Sequence, residues 1–353
     1  MAPQTILVFG GGNALAAYHA GAYEEMVHRD IRPDWIIGAS AGAVTGAIIV
    51  GNSRERRIER LREFWAEATT ATPLGPSDPK LRQYYNGWHV AWAALFGRPS
   101  IFRHRWPGFW GVFPGPQNDI ALYDHRPLAA TLERLVDFDL LNRAEIRFSV
   151  AAVDIETGGE VVFDNRKDRI GPHHILASSA ITPGFAPVEI DGRMLCDPGY
   201  VNNTPVDIAF ANPPERETTV ILLELFSLGS PRPASIDAVL ERTQDILFAS
   251  PTRKSIEALQ REYGLRTEIV PDSPSVRLLH LAYQAPAHEL SMKAIDFSPS
   301  SIRDRWAAGA MDLRTGFDRL NAAGPRPGLD YVTLSASQPD ASAAEASRYS
   351  DRP

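Results

Sequence analysis

Cysteine is almost absent from this chain: Cys196 is the single one in 353 residues. That excludes an intramolecular disulfide and a cysteine-built metal site, and it fits a reducing compartment. Positive charge is also in deficit. With 36 Lys and Arg against 43 Asp and Glu the net charge is −7, which leaves no footprint for nucleic acid and no strong pull toward anionic lipid. Long hydrophobic runs are missing, since no segment reaches the ~18 unbroken apolar residues that argue for a spanning helix. The apolar N-terminal stretch is broken by three consecutive glycines, and the first Lys or Arg is Arg29. It therefore lacks the positive n-region of a secretory signal. A cytoplasmic protein is expected, peripheral at most to the inner face of a membrane. Internal repeats are absent. His19 and His28 have no supporting Cys or carboxylate cluster, so neither a metal nor a cofactor is expected. Oligomeric state leaves no trace in the sequence.

What is present is ordinary for a globular protein with a sizeable core: 44% hydrophobic and 22% charged residues. One stretch organises the chain. Trp35-Ile36-Ile37-Gly38-Ala39-Ser40-Ala41-Gly42, followed by AVTGAIIV from Ala43, reads as a strand, a G-x-S-x-G turn and a buried helix. This pattern lifts one serine hydroxyl clear of a sheet. Gly38 and Gly42 flank Ser40 because side chains there would meet the neighbouring strand and helix. The helix that follows turns its N-terminal N–H groups and positive dipole end toward the serine, which suits an oxyanion. The alternative is a small-residue packing turn in an α/β domain.

Upstream, Thr5 to Phe9 reads as a buried strand, followed by Gly10-Gly11-Gly12 and a helix from Ala14 to Arg29. Such a loop makes an anion cradle of backbone N–H groups. The spacing lacks the G-x-G-x-x-G of dinucleotide binding, so a second loop serving the oxyanion is preferred. Residues 54–70 read as a surface helix, with Ile58, Leu61, Phe64 and Trp65 at helical spacing. Residues 72–127 change character, rich in proline and in aromatics that include Trp88, Trp92, Trp106, Phe109 and Trp110. This is either a packed cover or a lid around an apolar ligand. Further strands are read at 146–153, 160–163, 218–226 and 276–283, with a hairpin around Asp191-Gly192. Helices are read from His173, at 235–248 and 251–262, and over 299–320 with Ser298 as N-cap. The last twenty or so residues are low-complexity and polar.

Three stretches in order resemble the patatin-like phospholipase family. They are GGGNALAAYHAG from Gly10, GASAG from Gly38, and ASSAITPGFAPVEIDGRMLCDPGYVNNTPV from Ala177. The third is the most specific. The resemblance covers about residues 4–210, and AIDFSPSSIRDRWAAG looks like the C-terminal part of a bacterial subgroup. It implies an α/β fold of three α/β/α layers, with a central, mostly parallel sheet, a nucleophile elbow and an aromatic-rich helical insertion. The implied organisation is a catalytic core over 1–210, with 72–127 as lid or cover, an α/β extension packed on it over 211–333, and a disordered tail over 334–353. It also implies a Ser-Asp dyad without histidine: Ser40 as nucleophile and Asp197 as base, with an oxyanion hole of Gly11, Gly12 and the N–H of Asn13. Gly199 completes the aspartate motif. Asn13 and Ala16 stand where the family usually has glycine, and Pro198 stands where it usually has the first glycine after the aspartate. Asn tolerates unusual backbone angles better than most residues.

The expected chemistry is acyl transfer to water. A serine hydroxyl needs a base within reach, and an aspartate serves only if desolvation raises its proton affinity. The substrate expected is an ester lipid or other acyl ester, with Trp88, Trp92, Trp106, Phe109 and Trp110 as candidate contacts and peripheral membrane contact left open. Three alternatives stand: an acyltransferase, a catalytically silent acyl-lipid binding module, and a triad using His173, His174, His280 or His288.

Overall fold

The computed structural model describes residues 3–105, 121–143, 145–271, 273–324 and 328–334. Trp106, Phe109, Trp110 and the tail from residue 335 lie outside the described residues. In chain order the strands are β1 (Gln4–Phe9), β2 (Trp35–Ala39), β3 (Arg103–His104), β4 (Tyr123–Asp124), β5 (Arg147–Asp154), β6 (Glu160–Asp164), β7 (Val188–Ile190), β8 (Arg193–Cys196), β9 (Thr218–Glu224), β10 (Val276–Ala282) and β11 (Leu329–Thr333). The helices are α1 (Ala17–His28), α2 (Ala41–Val50), α3 (Arg57–Ala68), α4 (Pro79–Phe96), α5 (Arg126–Leu135), α6 (Phe138–Leu141), α7 (Pro172–Ser178), α8 (Gly199–Asn202), α9 (Val206–Ala209), α10 (Ile236–Ile269) and α11 (Pro299–Ala323).

The main sheet runs β11-β10-β9-β1-β2-β5-β8-β7, with β6 also on β5. From β11 to β5 every neighbouring pair is parallel, whereas β6 and β8 pair with β5 antiparallel. Parallel strands need cover on both faces, which is why β1 and β9 read as near-continuous apolar runs. On one face Leu7, Phe9, Ile36 and Leu223 share a core with residues of α1, α2, α3, α5 and α11. On the other, Ile6, Val8, Ile37 and Leu222 pack against Val206 of α9 and against Ile256, Leu259 and Tyr263 of α10. The fold is therefore α/β with three α/β/α layers, as expected. The residues after 210, expected as an extension on the core, supply β9, β10 and β11 to this same sheet.

The hairpin of β7 and β8 turns on Asp191 and Gly192, both at positive φ, and α11 starts on Ser298, whose hydroxyl accepts from the Ser301 N–H. One expectation fails. The two helices read at 235–248 and 251–262 are a single 34-residue α10 with Pro251 inside it. An interior proline removes a hydrogen bond and costs about 3 kcal/mol. Burial of Ala249, Thr252, Ile256 and Leu259 across the break offsets that cost. α1 and α11 cross backbone to backbone. A Cβ on Gly309 would stand 1.9 Å from the Tyr18 carbonyl oxygen, and one on Gly21 would stand 1.8 Å from that of Trp306. Arg314 and Glu25 pair across the same crossing at 2.9 Å.

Candidate active site

Ser40 is the one residue between β2 and α2, at φ 54° and ψ −124°. A non-glycine residue with positive φ is uncommon and costs energy. The surroundings hold it there. Its N–H donates to the Ser178 hydroxyl at 2.9 Å, tying the turn to the end of α7. A Cβ on Gly42 would lie 2.2 Å from the Phe9 carbonyl oxygen, and one on Gly38 would lie 2.7 Å from the Ala43 backbone. Both glycines are thus demanded by close packing, as the motif predicts. No side chain caps α2, so the positive end of its dipole stands beside the Ser40 position.

The glycine loop after β1 is clamped by two other segments. Gly10 donates its N–H to the Leu223 carbonyl of β9 at 3.1 Å, and Gly11 donates to the Asn203 carbonyl at 3.0 Å. In return the Asn203 side-chain amide donates to the Gly11 carbonyl. The VNNTP run therefore shapes the loop. The Gly11 N–H, expected among the oxyanion donors, is committed to Asn203. What Gly11 contributes is room, because a Cβ there would lie 2.9 Å from the Ser40 Cβ and 2.5 Å from Asn203 Oδ1. Gly12 has φ 158° and Asn13 has φ 50°, so asparagine adopts the left-handed angle in the place of the family's third glycine. Ala16 is buried.

Asp197 ends the β7–β8 hairpin. Its N–H donates to the Ala180 carbonyl, and its Oδ1 accepts from the Gly199 N–H at 2.8 Å. Pro198 costs this site no donor, because the N–H that reaches the carboxylate belongs to the next residue. The other oxygen, Oδ2, is buried with no fully formed hydrogen bond. Burial pushes the Asp197 pKa up to about 7, and the Ser40 hydroxyl facing it and the Gly199 N–H pull the other way. A carboxyl at that value is a usable base at neutral pH.

A narrow, largely apolar pocket of about 60 Å³ opens at Ser40. Asn13 and Ala41 line it beside Ser40, and Val44, Phe64, Trp65, Ile101, Leu128 and Phe185 supply apolar wall. Trp88 and Trp92 do not line it. They are exposed on α4, because that helix turns Arg82, Asn86, His89, Val90 and Ala93 inward instead. The apolar wall comes instead from α2, α3, α5 and the segments around Ile101 and Phe185. Helical spacing made Phe64 and Trp65 visible as buried residues, but no local signal ties them to a serine more than twenty residues away.

The four histidines of the triad alternative lie elsewhere. His280 sits between Glu224 and Tyr331, 2.9 Å from each, on the α10 side of the sheet. His174 accepts from the Gly171 N–H, and burial holds its pKa down to about 4. His173 stacks beside it, and the His288 carbonyl accepts from Asn86. None of the four lines the pocket. His125 does, a residue sequence reasoning missed; burial lowers its pKa to about 4. Among the described residues no cluster of three or more His, Cys, Asp or Glu could hold a metal ion.

A serine raised on a strained strand-to-helix turn, in a three-layer α/β/α sheet and beside a buried carboxyl, defines a class of α/β protein built around a serine elbow. The sequence matches the family described as patatin-like phospholipase over residues 7–210, and a second family described as patatin phospholipase over residues 265–326. The chain belongs to the patatin-like phospholipase family. A putative patatin-like phospholipase domain-containing protein of Caenorhabditis elegans is 22% identical over 206 residues, 57% of this chain and 15% of that protein. A second C. elegans patatin-like phospholipase domain-containing protein is 24% identical over 206 residues, 57% of this chain and 12% of that one. The chain thus spans only a small part of the length of these curated relatives. Similar solved structures include VipD from Legionella pneumophila, with a TM-score of 0.42 and 12% identity over 90% of this chain and 67% of that one. Human GIVD cytosolic phospholipase A2, solved with methyl gamma-linolenyl fluorophosphonate, has a TM-score of 0.42 and 13% identity over 91% of this chain and 59% of that one.

Proposed function

We propose that this chain is a serine acyl hydrolase that releases a fatty acid from an ester lipid, with Ser40 as nucleophile and Asp197 as general base. The observation that carries this reading is the Asp197 carboxyl, buried with one unpartnered oxygen and a pKa of about 7, facing the Ser40 hydroxyl. The Ser40 oxygen attacks the ester carbonyl while its proton passes to Asp197. The N–H groups of Gly12 and Asn13 receive the negative charge on the carbonyl oxygen. As the tetrahedral centre collapses, Asp197 returns the proton to the leaving alcohol and an acyl-Ser40 remains. A water then attacks the acyl carbon, giving its proton to Asp197, and the acid departs with the Ser40 hydroxyl restored. The apolar pocket wall takes the acyl chain.

His125 is the one pocket histidine that could compete as base. At a pKa of about 4 it is a weaker proton acceptor at neutral pH than Asp197, which favours the carboxylate. An acyltransferase would use the same residues with an alcohol in place of water, and product analysis separates the two.

The test is hydrolysis of a p-nitrophenyl ester chain-length series. Asp197→Asn should lower kcat by roughly 10²–10⁴-fold, the range of general-base effects, and Ser40→Ala by more, up to about 10⁶-fold. His125→Gln should retain it within about tenfold, as expected of a pocket wall. Loss with His125→Gln equal to that with Asp197→Asn would replace the dyad with a histidine mechanism. A folded wild type that neither hydrolyses esters nor reacts with a fluorophosphonate at Ser40 would leave a silent acyl-lipid binding module.

A further inference from the structure

α4 is built inside out. Its 18 residues form a rod ~27 Å long. Leu81, Tyr84, Trp88, Trp92, Leu95 and Phe96 are 43–79% exposed. At 100° per residue these six fall within an arc of about 120° that contains no charged side chain. The ridge is continuous, with the Trp88 and Trp92 rings 6.2 Å apart and Trp92 and Phe96 4.4 Å apart. The buried side of the same helix carries Arg82, Asn86 and His89, none more than 5% exposed, together with Val90 and Ala93.

The polar side is a lock on the helix's rotation. Arg82 donates to Asn86 Oδ1 at 3.0 Å and to Asp304 of α11 at 2.9 Å. The Asn86 amide donates to the His288 carbonyl, and the His89 ring meets the Thr70 hydroxyl at 3.1 Å. Turning the aromatics inward would strand a buried guanidinium, an amide and an imidazole, each expensive to leave without partners. The fold therefore holds a contiguous aromatic ridge in water, a feature that marks a binding surface.

We propose that this ridge docks the protein on the surface of a lipid bilayer with zwitterionic headgroups. The inference rests on the ester-lipid reading above. Three observations choose the occupant. The ridge is made of Trp and Tyr, which settle at the headgroup level, with Phe and Leu, which join Trp on the buried face of an interfacial helix. It has no charge to set the register of a protein partner. The helix that carries it is also joined to the pocket wall: the Tyr123 hydroxyl donates to the Ala94 carbonyl at 2.8 Å, the Tyr123 ring packs on Phe185 at 6.2 Å, and Phe185 lines the pocket with Ser40. A helix lying in the interface plane sinks its apolar face by ~5–10 Å, which holds the domain that carries the pocket against the lipid. The net charge of −7 opposes recruitment by anionic lipid, so attachment is apolar.

The experiment is co-sedimentation of the full chain with phosphatidylcholine vesicles, read beside p-nitrophenyl butyrate hydrolysis without lipid. Trp88→Ser/Trp92→Ser should lower the partition coefficient at least tenfold and leave butyrate hydrolysis within twofold, which also verifies its folding. Val239→Ser/Leu240→Ser, on the exposed face of α10, should change neither. Added phosphatidylserine or salt should not strengthen or release binding. A wild type that does not partition, or a double variant that partitions equally, overturns the proposal. So does a wild-type dimer that the double variant dissociates, since the occupant is then a second copy. Vesicle binding that needs the ridge without hydrolysis of any ester would sustain the docking surface and sink the hydrolase reading. Hydrolysis of the butyrate without partition would do the reverse.

Discussion

At Asp197 the same burial that raises the carboxyl's proton affinity also costs stability. A carboxyl with a folded pKa of about 7 and an unfolded one of ~3.9 binds a proton in the folded state that the unfolded chain has already released. Below pH 4 both states are protonated and the penalty is nil; it grows as pH rises through 7, to about 4 kcal/mol at pH 8. Asp197→Asn is therefore expected to lose most of its activity and yet be more stable than wild type at pH 8. The two should unfold alike near pH 4. Denaturant midpoints at the two pH values check this, and equal stabilities at pH 8 would show that the carboxyl is not desolvated. Activity should rise with pH through about 7, because the base works only when deprotonated. The Ser40 turn was legible because it sits in a short local motif, whereas Asp197 was singled out only through the resemblance of the long stretch that contains it. The clamp on Gly11 was not, because Asn203 reaches it from 192 positions away in the sequence, and a glycine run does not reveal which of its N–H groups is already taken.

Among the elements, periodicity gives the existence of a helix more reliably than its buried face. α4 carries an apolar stripe at helical spacing, which alone would read as core; the cost of leaving Arg82, Asn86 and His89 without partners decides the other way. Pro251 misleads in a similar manner, since local chemistry breaks a helix there and packing on the sheet keeps it whole. The α1–α11 crossing is the element contact with least room. Gly309→Ala places a methyl carbon 1.9 Å from the Tyr18 carbonyl oxygen, so the two helices must separate. The expected loss is about 2–4 kcal/mol, at the upper end for overpacking, seen as a lower urea midpoint. A midpoint within experimental error of wild type would mean that the helices sit farther apart than described.

Across the whole molecule, the motif-bearing residues and the last three strands share one sheet. β1 is hydrogen-bonded to β2 on one side and to β9 on the other. A fragment ending at residue 210 would bare the β1 edge from Gln4 to Phe9 and strip α10 and α11 from both faces. Exposed apolar edges recruit other chains, so that fragment is expected to be insoluble or aggregated by size-exclusion chromatography. A soluble monomer that cleaves esters would refute this. The hydrogen bond from Gly10 to Leu223 also has a consequence for the order in which the molecule is made. Translation delivers the serine early and the carbonyl that shapes the glycine loop only after residue 223 has left the ribosome. Copies stalled before that point would hold the Ser40 turn beside a glycine loop that still lacks its partner on β9.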